Sequence, residues 1–260
     1  MSLERKRIVL TGGSGGLGRM VAAELEREGA AVTVLSRTWS GAGGASPRHV
    51  GVDLSSQAGF AAAAALLAQD QPDVLINMAG VQHFGPAEGQ PSDQMYLSYV
   101  VNLVAPVLLC RACLPFMKQR DSGQIANVGS IFGGIPLAHF AAYSSAKAGL
   151  RAFSQALRRE LAETNIAVTY VAPRAVRTGM FTPRLQKYAN ATRMRVDEPN
   201  AVAARIVTAV KQRKNEVHFG FPERMFVKIN ALLPRLVDAA VAGDDRKARR
   251  LFADNDFSAF

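Results

Sequence analysis

The chain has 260 residues, 48% apolar and 20% charged, a globular profile with room for one large α/β domain spanning residues 1–260. Its formal charge of +10 sits late: residues 1–173 carry 14 Lys/Arg against 12 Asp/Glu, and residues 174–260 carry 17 against 9. No stretch reaches the ~18 consecutive apolar residues of a membrane span, and the apolar run before the first glycines is too short for a secretory segment, so a cytoplasmic location is expected.

In chain order, residues 7–10 form a short strand pattern, followed by Thr11-Gly12-Gly13-Ser14-Gly15-Gly16-Leu17-Gly18 and then a helical pattern in Met20, Val21, Ala23 and Leu25. Strand, glycines and helix stand in phosphate-binding order. Glycines let the backbone turn tightly and approach a pyrophosphate, whose charge is met by the N–H groups of the helix start. The spacing fits Gly-x-Gly-x-x-Gly from Gly13 and equally Gly-x-x-x-Gly-x-Gly from Gly12.

Residues 31–35 read as the second strand, ending in Ser36-Arg37 roughly 20 residues past the glycines. Acid at that place serves a ribose 2′-hydroxyl, whereas arginine suits a 2′-phosphate, and no carboxylate occurs between Glu28 and Asp53. NADPH is therefore the expected cofactor. Residues 39–47 read as a Gly/Ala/Ser/Pro loop and 49–52 as the third strand, closed by Asp53, which could accept from an adenine amine or cap the next helix. The Ala-rich run 58–68 is expected to be helical.

Residues 73–76 form a fourth strand, followed by the small residues of Asn77-Met78-Ala79-Gly80, where backbone can pass close to a cofactor. The helix-length segment 93–117 contains Asn102 among apolar neighbours, and such an amide must find partners. Cys110 and Cys113 lie within this apolar segment rather than at a strand-to-helix junction, and read as buried reduced thiols, not a redox pair. The histidines His49, His83, His139 and His218 lack metal-ligand spacing, so no metal is expected. Residues 124–129 are a fifth strand delivering Ser130, a helix through Tyr143 runs to about residue 163, and Ile166–Ala172 is a sixth strand. Alternating strands and helices predict a doubly wound parallel sheet of about seven strands with helices on both faces, and ligands at the carboxyl ends of the strands.

The run Tyr143-Ser144-Ser145-Ala146-Lys147 carries the chemistry. On a helix, positions four apart share a face, so a phenol and an ammonium meet on one surface. A unit charge about 5 Å away at an effective dielectric of about 20 stabilises the phenolate by roughly 3 kcal/mol, about two pKa units, which predicts a lowered tyrosine suited to proton transfer. Ser130 offers a hydroxyl to hold a substrate oxygen beside it.

These residues resemble the classical short-chain dehydrogenase/reductase family, NADP-preferring type, over residues 6–178. Thr11-Gly12-x-x-x-Gly16-x-Gly18 resembles its cofactor loop, Asp53 its adenine-side aspartate, and Asn77-x-Ala79-Gly80 its central strand motif. Asn102, Ser130, Tyr143 and Lys147 fall on its catalytic tetrad. The resemblance implies a Rossmann domain in which Tyr143 donates a proton to a carbonyl oxygen held by Ser130. Lys147 would lower the tyrosine and hold the nicotinamide ribose, and Asn102 would position a relay water. It further implies NADP(H) contacts from Gly12, Ser14, Gly16, Leu17, Gly18, Arg37, Asp53, Leu54, Asn77, Ala79, Gly80, Tyr143, Lys147, Pro173, Val176 and Thr178. Two positions depart from the pattern. Met78 replaces a second asparagine, where an apolar side chain can pack, and Arg174 replaces the glycine of Pro-Gly-x-x-x-Thr, at the cost of strain or a new backbone path if φ > 0 is required there. Arg174 or Arg177 could then touch an anionic substrate. Extended relatives, epimerases and dehydratases, share Tyr-x-x-x-Lys and fit the Gly12, Gly15, Gly18 spacing, but the short C-terminal part argues against them.

Past residue 180, residues 181–199 carry Arg184, Lys187, Arg193 and Arg195 with few strand or helix signals, in the region where the family has its substrate-covering lid. A helix over 200–211 and a last strand over 216–219 follow. Residues 222–242 read as an amphipathic helical extension with Met225, Ile229, Leu232, Leu233, Leu236, Val237 and Ala240 at helical spacing and a kink at Pro234; residues 243–260 read as a polar, frayed tail. That apolar stripe suits the parent domain or a sister subunit, or else a membrane surface or greasy substrate.

The expected function is an NADPH-dependent ketone reductase or alcohol dehydrogenase acting on a small-molecule substrate that is acyl, lipid-like or aromatic. The other expectation is a non-catalytic NADPH-binding regulator or scaffold, against which the complete tetrad argues. A homodimer or homotetramer is expected, with peripheral membrane or acyl-carrier contact through the basic last third as a further option. Nucleic acid is not expected, because interleaved aromatics and zinc spacing are lacking.

Overall fold

The computed structural model describes residues 1–39 and 47–253, so most of the expected 39–47 loop and the last seven residues lie outside the described residues. Strands β1 (Arg7–Thr11), β2 (Ala31–Ser36), β3 (Arg48–Gly51), β4 (Val74–Asn77), β5 (Gly123–Val128) and β6 (Ile166–Ala172) precede a short two-stranded ladder of β7 (Ala175–Val176) and β8 (Val196–Asp197), and β9 (Glu216–His218) completes the set. The main sheet has seven strands in the order β3-β2-β1-β4-β5-β6-β9, every neighbouring pair parallel. Parallel strands covered on both faces need continuous apolar runs rather than alternation, and β4 and β5 are buried at every position.

Helices α1 (Gly16–Arg27), α2 (Gln57–Asp70), α3 (Ser92–Tyr99), α4 (Ala105–Gln119), α5 (Ala141–Glu160), α6 (Pro183–Thr192) and α7 (Pro199–Lys211) surround it. Val21 and Leu25 of α1 pack with Val202 and Ile206 of α7 against one face; Leu67 of α2, Leu109 of α4 and Leu157 of α5 pack against the other. Each such side chain contributes about 1.5–3 kcal/mol when fully buried. The order reverses between β1 and β4, so a crevice opens at their carboxyl ends. The site lies there.

The helix of residues 92–119 is continuous but is wound as a π-turn over Val100–Val104, the turn that carries Asn102. By length and composition it could cross a membrane, yet more than half of its most apolar stretch is buried inside the domain, where Cys110 and Cys113 are free, buried thiols. Burial pushes the Cys113 thiol up to about 12, which leaves it unreactive at neutral pH.

Three features after residue 180 differ from expectation. Residues 181–199 hold α6 and β8: Pro183 starts α6, and the Thr182 hydroxyl caps it by accepting from the Leu185 N–H at 3.2 Å. The 222–242 extension is two helices rather than one kinked helix, α8 (Phe221–Leu232) and α9 (Pro234–Ala253). Pro234 has no N–H to continue the first and is preorganised to begin the second. Residues 243–253 are helical, not a frayed tail, because Ala248 is buried, Leu251 packs on the same cluster, and Lys247 pairs with Asp244 one turn back at 2.9 Å.

Candidate active site

The glycine segment owes its shape to β1 and the loop after β4. Gly12 has φ +71°, and a Cβ there would lie 2.6 Å from the Ala79 Cα. A Cβ on Gly18 would lie 2.2 Å from the Gly12 carbonyl oxygen. No side chain larger than hydrogen fits either place. The buried Thr11 hydroxyl ties the two segments together, accepting from the Met78 and Ala79 N–H groups at 2.9 and 3.0 Å. Met78 packs on the core beside α1, as an apolar side chain there should.

Helix α1 starts at Gly16 with Gly15 as its N-cap, no capping side chain and no acid in its first turn. Its first N–H groups thus point into the crevice as donors for an anion. Arg37 directly follows β2, exposed and beside Asp53. The Asp53 carboxyl is held below the usual range by the Ser55 N–H and hydroxyl, with the Arg37 charge adding to the effect. A glycine cradle, free helix N–H donors, a cation and a carboxylate along one cleft fit the pyrophosphate, ribose and adenine of a dinucleotide.

This cleft, about 420 Å³, is lined by Gly12, Ser14, Gly16, Leu17 and Gly18 at one end, with Arg37, Asp53 and Leu54 beyond. Ala79 and Gly80, Ser130, Tyr143 and Lys147, and Pro173, Val176 and Thr178 complete the lining. Two expected residues stand behind the walls instead. Asn77 is buried with its amide donating to the Asn127 Oδ1 at 2.9 Å, so it braces β4 against β5 and does not line the cleft. Asn102 is fully buried, donating to the Val81 carbonyl at 2.7 Å and the Ser98 carbonyl at 2.9 Å, and accepting from the Val81 N–H at 3.3 Å. It fixes the bend after Gly80, whose Cβ, if present, would sit 2.9 Å from the Asn102 Oδ1.

Ser130 follows β5 as the cap of a short 3-10 turn, and its hydroxyl accepts from the Phe132 N–H at 3.2 Å. It also hydrogen-bonds Tyr143. Lys147, one turn along α5, is 4% exposed, donates to the Val128 carbonyl at 3.1 Å, and stands 5.9 Å from the centre of the Tyr143 ring. The expected lowering of the phenol is reversed. Burial raises Tyr143, with the Ser130 bond working the other way, while burial pushes Lys147 down to about 8. Desolvation by burial is the leading cause of both shifts.

Arg174 does not adopt positive φ, so it carries none of the strain a forced glycine position would impose. Its guanidinium grips Asp197 of β8 at 2.7 and 2.8 Å and Glu223 of α8 at 3.0 Å. Arg177 pairs with Glu198 at 3.3 Å. Both arginines expected as possible substrate anchors are thus engaged by carboxylates. Further lining was not anticipated: Val81, Leu97, Val101, Phe132, Leu185 and Met194 add apolar surface to the cleft. Asn127 was missed as well; a polar residue in an otherwise apolar strand, paired in register with Asn77, was its signal.

Fold and cleft together define an α/β domain built to hold a dinucleotide against a Ser-Tyr-Lys wall. The family model described as short chain dehydrogenase matches residues 6–189, and the chain belongs to that family of oxidoreductases. It is 32% identical to the Ketoacyl reductase HetN of Nostoc sp. over 232 residues, 83% of this chain and 79% of that one. Among solved structures, a short-chain dehydrogenase from Streptomyces avermitilis superposes with a TM-score of 0.76 at 26% identity, covering 94% of this chain and 99% of that one. A 3-ketoacyl-(acyl-carrier-protein) reductase from Brucella melitensis, solved as a complex with NADH, does so with a TM-score of 0.74 at 26% identity, covering 84% and 97%.

Proposed function

We propose that the protein reduces ketones on acyl, lipid-like or aromatic substrates with NADPH, using Tyr143 as the general acid. The observation that carries this reading is that Ser130, Tyr143 and Lys147 line one cleft together with the glycine cradle and the apolar side chains Val81, Leu97, Phe132 and Leu185, the Phe132 ring 6.4 Å from that of Tyr143. When bound, the dinucleotide supplies the hydride. Ser130 holds the carbonyl oxygen, and Tyr143 gives it a proton; a phenol kept protonated by burial is in the state reduction requires. Lys147, close to the ring, offsets the negative charge left on the phenolate.

Arg37 supports NADPH over NADH, since the end of β2 offers a cation and no carboxylate to the ribose. The substrate class is supported by the apolar lining of Val81, Leu97, Phe132 and Leu185 and by the likeness to ketoacyl reductases. Tyr96, Tyr99, Val104 and Leu108 are exposed along the 92–119 helix and favour pairing with a second copy.

The test is cofactor oxidation with a panel of 3-oxoacyl thioesters and aromatic ketones. Tyr143→Phe is expected to lose about 10²–10⁴-fold in rate while still binding NADPH. Equal rates in the two proteins would remove Tyr143 as the acid.

A further inference from the structure

The C-terminal helices leave the stripe of large apolar side chains outside. Their inner faces are satisfied: Val227 of α8 and Val237 and Ala248 of α9 are buried against Leu185 and Tyr188 of α6. On the outer side of α8, Phe221, Met225, Lys228 and Leu232 follow at spacings of four, three and four, so they share one face. Phe221 is 67% exposed and Leu232 80%. Five consecutive residues across the α8–α9 corner, 232–236, are exposed, among them Leu233 and Leu236 around Pro234. On α9, Arg235, Arg246 and Arg250 repeat at three turns and then one, on the side away from Val237 and Ala248, and all three are exposed.

We propose that this corner docks on an anionic lipid bilayer, with Phe221, Met225, Leu232, Leu233 and Leu236 in the interfacial layer and Lys228, Arg235, Arg246 and Arg250 on the headgroups. Apolar side chains bracketed by arginine and lysine match such a surface in both respects, because the cations stay wet at the phosphates while the leucines leave water. A second copy is the poorer occupant. A two-fold interface sets the same patch against itself and would bring Lys228 and Arg235 toward their own images, with Asp238 the acid beside them, since Glu223 is already held by Arg174. The corner is also a projection around a proline rather than a groove. Nothing in this inference depends on the substrate of the cleft.

The experiment is sedimentation of the full-length protein with vesicles of phosphatidylcholine alone or with about 25% phosphatidylglycerol, at about 0.1 and 0.5 M salt. Wild type is expected to partition at least about tenfold better to the anionic vesicles at low salt. Leu232→Ser/Leu233→Ser/Leu236→Ser is expected to lose about tenfold at unchanged melting temperature. Arg235→Glu/Arg246→Glu/Arg250→Glu should bind less and lose the salt dependence. Equal binding to both vesicles, or wild type left in the supernatant throughout, overturns the proposal. So does a leucine variant that instead converts an oligomer to a smaller species in sedimentation velocity, which would make the corner a subunit interface.

Discussion

The Lys147 ammonium stands 5.9 Å from the centre of the Tyr143 ring, one helical turn along α5, and both side chains are buried. Burial acts on them in opposite senses, raising the phenol and lowering the ammonium to about 8. The lysine therefore loses its charge within reach of ordinary assay conditions.

With the charged lysine needed beside the phenol, kcat/KM for reduction is expected to be level near pH 7 and to fall as pH rises through about 8. Lys147→Met should lack that limb and be slower by about 10²–10⁴-fold. A pH profile of the two proteins checks this, and a level wild-type profile between pH 7 and 9 would contradict it.

Arg37 is exposed at the end of β2, positioned for a 2′-phosphate. Arg37→Asp is expected to weaken NADPH by about tenfold or more, the worth of one charge-assisted contact of about 1.5–3 kcal/mol, and to spare NADH. Fluorescence titration with each nucleotide measures the ratio; no change in it would remove the NADPH assignment.

Arg174 joins the loop after β6 to β8 and to α8, through Asp197 and Glu223. Arg174→Gly restores the residue the family pattern leads one to expect but strands two half-buried carboxylates. It is expected to lower stability by about 1–3 kcal/mol, between the values for exposed and for buried pairs. Arg174→Lys should rescue little, because an ammonium cannot make the two-pronged contact with Asp197. Thermal melts of the three proteins decide it.

Glu216 on β9 contacts the His218 Nε2 at 2.6 Å and accepts from Arg151 Nε at 2.7 Å and Gln155 Nε2 at 3.0 Å. The His218 bond first, then the Gln155 bond and the Arg151 charge, hold its pKa at about 2, against 4.5 for a free glutamate. A depressed folded-state value means stability that is complete above pH 4.5 and lost as pH falls through about 2. Glu216→Gln is expected to cost about 1–2 kcal/mol at pH 7, after discounting for solvent screening, with the gap to wild type closing over that acid window. Urea titrations at pH 7 and pH 3 compare the two.

Much of the site could be read from local pattern. Gly12 and Gly18 are demanded by contacts a few residues away or just across the sheet, and the Tyr143–Lys147 pairing follows from helical spacing alone. Arg37 is legible because it directly follows a strand. Asn77 and Asn102 were placed in the right neighbourhood, but their buried partners were not legible, since spacing locates a residue on an element and does not say which polar partner takes its side chain. The apolar lining of the cleft was hidden because Val81, Phe132 and Leu185 converge from three separate segments.

By itself, then, the sequence determined the order of strands and helices as far as β6, the glycine turn and the tyrosine-lysine face, all set by interactions within a few residues. Only the tertiary structure decided how firmly Tyr143 keeps its proton, that Arg174 ends between carboxylates 23 and 49 positions away, and that the leucines around Pro234 lie on the surface of the chain. The reason is physical. Periodicity fixes which face a side chain occupies, while desolvation and charge pairing depend on what distant chain is packed against that face.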